Sequence, residues 1–183
     1  QCTNNLKQIG IAAHNFHDTH KYLVPSWLGD NSLDPDGWAT WAVLLLPYLD
    51  QTPTYQLWDL RYPASKQTPA AYQQQLAVYR CPSRPAFVLS KNDFVPAGGG
   101  LSDYGACFGT DANGPNSNGA IIPTRAEFAL DSAGIVIVPT WRGQFGFHGI
   151  LDGTSNTLMF GEKHIRPNSL RGKNEDRSIF GGQ

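Results

Sequence analysis

From Cys2 to His20 the chain reads CTNNLKQIGIAAHNFHDTH, with no proline and a single glycine, Gly10. The rest is punctuated constantly: 183 residues carry 19 Gly and 13 Pro, a content that turns much of the chain into loops. One long helix is therefore the element to which this sequence is most committed. Leu6, Ile9, Ala13 and Phe16 recur at the three-and-four spacing of one helix face. Gly10 costs that helix about 1 kcal/mol relative to alanine. Pro25 closes the segment, and GDNSLDPDG (Gly29 to Gly37) follows as a polar, turn-rich loop.

The densest apolar run, WATWAVLLLPYLDQ (Trp38 to Gln51), reads as a short helix ending before Pro47, although periodicity alone does not separate helix from buried strand here. A second short helix is expected over Pro69 to Leu76, with proline suitably placed in its first turn. Beyond CPSRP the character changes. AFVL, DYGACFGT, GAIIP, GIVIVP, FGFHGI and TLMFGEKH are short β-prone runs separated by Gly, Pro and Asn, the mark of a meandering antiparallel sheet. Helices first and strands after define an α+β chain, read as a single domain with regions 1–20, 21–86 and 87–183.

Composition removes several functions. The net charge is −1 and no basic run occurs, so no nucleic-acid footprint is present. GGGLSD lacks the Lys-Ser/Thr ending of a phosphate loop. No window reaches the roughly 18 apolar residues that span a bilayer. The chain starts without Met, already inside its helix, which leads to the expectation that an upstream segment was removed. Cys2, Cys81 and Cys107 form no C-x-x-C pair; one disulfide plus one thiol and three thiols are both compatible with the count.

Four sets of side chains deserve a chemical reading. His14, His17 and His20 fan over about 120° of the helix wheel, so His14 and His17 are the pair that could share a metal ion. The intervening Asn15 and Phe16 supply no Glu of the His-Glu-x-x-His type, and the favoured role for His17 and His20 is packing and hydrogen bonding at the buried edge. Asp30, Asp34 and Asp36 could gather oxygen ligands for a structural Ca²⁺, against the alternative of a solvated loop; no other cofactor is expected. DGTSNT (Asp152 to Thr157) lies near His148 and His164 but lacks a nucleophile elbow and reads as a turn. Of Trp27, Trp38, Trp41, Trp58 and Trp141, two or three are expected to anchor the core. Trp27, Trp38 and Trp58 are the candidates for stacking on a ligand.

Taken in order, CTNNLKQIGIAAHNFHDTH, GWATWAVLLLPYLDQ, YRCPSRP, DYGACFGT and ILDGTSNTLMFGEKH resemble the planctomycete-type prepilin-like family, whose domain is of unknown function and is sometimes labelled solute-binding. The later residues carry no further motif of that family. The resemblance implies a pilin-like fold, with an N-terminal amphipathic helix packed through Leu6, Ile9, Ala13 and Phe16 on an antiparallel sheet with long loops. It also implies a hydrophobic half-helix upstream, the sole contact with a membrane, through which subunits stack into a filament. Cys2 and Cys81 fall in its recurrent blocks and Cys107 does not, so a Cys2–Cys81 disulfide with Cys107 free is implied. The expected function is a non-enzymatic pilin- or pseudopilin-like subunit, exported to the cell envelope, cell surface or extracellular space and assembling with itself. The alternative is an exported surface module that binds a sugar or other solute through aromatic loops.

Overall fold

The long helix forms as its periodicity dictates. In the computed structural model, which describes residues 1–29, 33–34, 36–84, 88–110, 117–170 and 176–181, α1 spans Cys2–His20. Ile9, Ala12, Ala13 and Phe16 are buried along one face. Lys21 ends the helix in the left-handed conformation (φ 65°), its N–H bonded to the His17 carbonyl at 2.7 Å. His17 and His20 occupy the last turn, where the helix dipole favours positive charge.

The apolar run after the first loop is buried from Trp38 to Leu46 but not continuous in conformation. Helix α2 covers Trp41–Leu44 and a 3-10 turn takes over at Leu46–Leu49. The α-helix thus ends before Pro47, whose missing N–H breaks the ladder, and the chain continues through the proline as a tighter turn. Helix α3 is Thr52–Tyr55 and α4 is Pro69–Tyr72. The expected helix to Leu76 is cut short because the Tyr72 carbonyl accepts the N–H of Gly100 (2.6 Å) instead of continuing the helix.

The meandering sheet is a correction. Among the described residues, four short strands form two separate antiparallel pairs: β1 (Tyr104–Ala106) with β4 (Phe160–Glu162), and β2 (Ala129–Leu130) with β3 (Val136–Ile137). GAIIP is buried over Ala120–Ile122 without forming a strand. Its backbone bonds run to different neighbours, Ile121 N–H to Cys107 and Ser26 N–H to Ile122, so no regular ladder develops. FGFHGI holds a 3-10 turn, Phe147–Gly149. Of AFVL, residues 86 and 87 lie outside the described residues, and Val88 and Leu89 are in no strand.

α1 therefore rests on β4 and on the 3-10 turns Leu46–Leu49 and Ala77–Tyr79 rather than on a broad sheet. Phe16 meets Tyr48 edge-on at 5.8 Å, and Trp41 packs between Tyr79 (5.5 Å) and Phe160 (4.9 Å). One hydrophobic cluster runs from Ile9 on α1 to Phe180. The segment at residues 176–181 is threaded back into it: Ile179 N–H bonds Gly100, Thr40 Oγ1 donates to the Ile179 carbonyl, and Gly181 bridges to Ala39. No helix among the described residues is long and apolar enough to cross a membrane.

Candidate functional site

The return of residues 176–181 creates a cleft. Residues 26–28 and 39–41 run antiparallel beside each other, with Leu28 N–H bonded to Ala39 and Trp41 N–H to Ser26, both at 2.9 Å. β1 forms the facing wall, Lys163 follows β4, and residues 177–181 close one side. The space between is about 380 Å³, within the range of small-molecule pockets. Trp27, Trp41, Tyr104 and Phe108 supply its apolar wall. Trp27 is half-buried and meets Phe108 edge-on at 5.8 Å. The Tyr104 hydroxyl reaches away from the wall, accepting from Asn5 Nδ2 (3.2 Å) and donating to the Cys2 carbonyl (3.3 Å).

Lys163 and Arg177 line the cleft, and ion pairs lie behind it. Asp103 is fully buried, accepting the Cys81 N–H at 2.8 Å and pairing with Arg84 at 3.3 Å. Lys163 lies 3.7 Å from the buried Asp176 carboxylate, and Arg177 lies 3.7 Å from Asp93. Asp93 also accepts Ser90 Oγ (2.6 Å) and the Ser178 N–H (2.7 Å). Burial pulls the Lys163 ammonium below its ordinary pKa, while Asp176 and then Asp103 push the other way. Ser26 borders the cleft, and its hydroxyl is buried with no hydrogen-bond partner among the described residues.

Two of the three tryptophans expected at a ligand surface belong to the core instead. Trp38 is fully buried, its indole N–H donates to the Arg61 carbonyl (3.3 Å), and its ring lies against the Gly29 backbone. Gly29 sits at φ +72°, and a Cβ there would be 2.5 Å from that ring, so glycine is required twice over. Trp58 is 8% exposed and packs on Phe180 at 5.9 Å. Only Trp27 of the three borders the cleft.

The histidines are arranged around a ring. His14 stacks on Phe147 at 4.7 Å, and His17 approaches the same ring at 4.4 Å while its Nε2 accepts the Phe147 N–H at 3.5 Å. His20, placed on the buried stripe by its spacing, is exposed at the rim; its ring contacts Phe16 at 4.3 Å, and burial lowers its pKa. Among the described residues, Cys2, Cys81 and Glu162 are the set of His, Cys, Asp and Glu ligand atoms close enough to share a metal ion. Both of its sulfurs are consumed by the Cys2–Cys81 disulfide, which leaves Cys107 free and half-buried.

The acidic loop turns its carboxylates onto the chain. Asp34 accepts the Asp36 N–H and Ser65 Oγ, and Asp36 accepts the Phe94 N–H at 2.8 Å. Burial raises the Asp36 pKa. Asp30 lies outside the described residues. DGTSNT folds as a turn in which Asn156 and Thr157 side chains bond the backbone of Asp152 and Gly153.

On α1, Ile9, Ala13 and Phe16 are buried and Leu6 is half-buried. The sequence reading missed Ala12 and Asn5. Asn5 continues the stripe one turn before Ile9, and its amide donates to the Arg80 carbonyl (2.7 Å) and to Tyr104. That spacing was the available signal, obscured by the residue's polarity. Ser26 and Lys163 were also missed, and nothing local marks either.

No curated protein and no solved structure matches the chain. Residues 1–180 match the family described as "Protein of unknown function (DUF1559)", so the likeness extends past the last recognisable motif to the returning segment that closes the cleft. With all but its last three residues matched, the chain belongs to that family.

Proposed function

We propose that the chain is the globular part of an exported, non-catalytic subunit of pilin or pseudopilin type, assembling with itself at the cell envelope or in an extracellular filament. The observation that carries this reading is the anchoring of the first turn of α1. Cys2 is bonded to Cys81 across 79 residues, and Asn5 is hydrogen-bonded to the segment before Cys81 and to β1. A helix that transmits load into a globular body needs its axis held where it enters that body, and here a covalent bond and a buried amide both act there. The disulfide also suits the oxidising surroundings of an exported protein.

The reading demands an apolar helical segment continuous with α1 in the full reading frame. It also demands that surface filaments, seen by electron microscopy of the native cells, disappear when the gene is deleted. Unchanged filaments after deletion, or an upstream frame lacking the apolar segment, would sink it.

A further inference from the structure

We propose that the cleft between residues 26–28, residues 39–41 and β1 binds a neutral saccharide, one pyranose ring lying against Trp27. The inference stands apart from filament assembly and rests on the cleft alone.

Ser26 carries the first half of the argument. Its side chain is in a residue 3% exposed, borders the cleft, and makes no hydrogen bond among the described residues. Buried hydroxyls are normally satisfied, and one left unpartnered in a residue that lines a cavity marks a place where a bound group can supply the partner. Lys163 adds a second polar contact. Its side chain is only 24% exposed and meets Asp176 at 3.7 Å, beyond hydrogen-bond distance. Lys163 too lines the cleft, and its ammonium has three donors to offer.

The second half concerns what those polar groups surround. Trp27, Trp41 and Phe108 form an aromatic wall, with Trp27 and Phe108 half-buried and Trp41 buried behind them. A purely apolar ligand would cover this wall but leave Ser26 unsatisfied and offer nothing to Lys163. A small ion would meet the polar groups and leave the wall bare. A sugar ring has C–H faces for the indole and hydroxyls that both donate and accept, so it answers both demands.

Charge decides between neutral and acidic sugars. Among the described residues, each cation that lines the cleft faces an acid: Lys163 with Asp176, Arg177 with Asp93. The balanced set offers no net field to hold a uronate, whereas individual donors remain useful to neutral hydroxyls.

The test is calorimetric titration of the purified chain with cellotriose, maltotriose, N-acetylglucosamine trimer and, separately, galacturonate trimer. At least one neutral trimer should bind with a Kd of about 1 mM or tighter. Trp27→Ala should weaken it at least about tenfold, and Ser26→Ala roughly three- to tenfold. Trp141→Phe, outside the cleft, should leave it unchanged. Far-UV circular dichroism checks each variant; if Trp27→Ala unfolds, Trp27→Phe keeps the ring and should retain binding while Ser26→Ala still loses it. The proposal is overturned by no neutral trimer binding at about 10 mM, by the galacturonate trimer alone binding, or by folded variants of both Trp27 and Ser26 that bind as the parent does.

Discussion

Helix α1 and the β2–β3 arm are both local, regular elements, yet they are held in opposite ways. α1 presents a continuous buried face and is covalently bonded at its first turn. In the arm, Ala129 and Leu130 are exposed and Val136 and Ile137 only half-buried. Its turn is organised by one carboxylate, Asp131, which accepts the N–H groups of Ala133 and Ile135 and the Tyr62 hydroxyl, each at 2.9 Å. Its end is fastened by the Val138 N–H to the Arg61 carbonyl. The helix is held by apolar area and a crosslink, which pH and salt barely touch. The arm is held by polar bonds at its turn and its end, and a single protonation reaches those of the turn.

The largest test of this contrast removes the crosslink. Cys2→Ser/Cys81→Ser should lower stability by about 4 kcal/mol, the chain-entropy value for closing a loop of this length. Urea unfolding of the parent with and without reductant should reproduce the loss. A change below about 1 kcal/mol would mean that apolar packing alone secures the helix. Next comes Ile9→Ala on the buried face, expected to cost about 3 kcal/mol. Leu130→Ala on the arm, at a residue 68% exposed, should cost less than about 0.5 kcal/mol. Equal losses at the two sites would erase the contrast.

Asn5 offers a finer probe, because it sits on the apolar face of α1 and works by hydrogen bonds. Asn5→Ala removes the amide donor from the Arg80 carbonyl and from Tyr104, which keeps its bond to Cys2. A loss of about 2 kcal/mol is expected from urea unfolding. Asn5→Leu should not recover it, since added apolar area replaces neither of the amide's hydrogen bonds; recovery would show the face to be purely hydrophobic.

The same contrast explains what could be read from the residues alone. α1 is legible because its partners are its own neighbours at three and four positions, and Leu6, Ile9, Ala13 and Phe16 announce the face. Asn5 breaks the hydrophobic alphabet of that face and escapes notice. Past residue 87 the β-prone runs are genuine, but their hydrogen bonds go to separated partners: Ile121 to Cys107, Ser26 to Ile122, Val138 to Arg61. Strand propensity cannot announce such a partner, so the runs looked like one sheet and fold as two short pairs. Trp27, Trp38 and Trp58 are chemically alike in sequence, and only packing separates the one at the cleft from the two in the core. The cleft itself draws on five stretches of chain, so the lining cations Lys163 and Arg177 had no local signature.

The smallest effect expected is acid opening of the arm, and its sign follows from Asp131. The Ile135 N–H foremost, with the Tyr62 hydroxyl and the Ala133 N–H, holds this carboxyl below its ordinary value of 3.8. The unfolded arm therefore takes up the proton at higher pH than the folded one. Stability contributed by the ionised carboxylate is fully present above 3.8 and is lost as pH falls through the lower folded value. Amide exchange followed by NMR should show Ala133 and Ile135 losing protection on acidification while Ile9, Ala12 and Ala13 in α1 keep theirs. Asp131→Asn should remove the pH dependence of the arm, because the amide keeps an acceptor oxygen and has no proton to gain. Loss of protection in arm and helix at one common pH would mean that the two regions unfold as a unit, and the difference between them would then be one of appearance only.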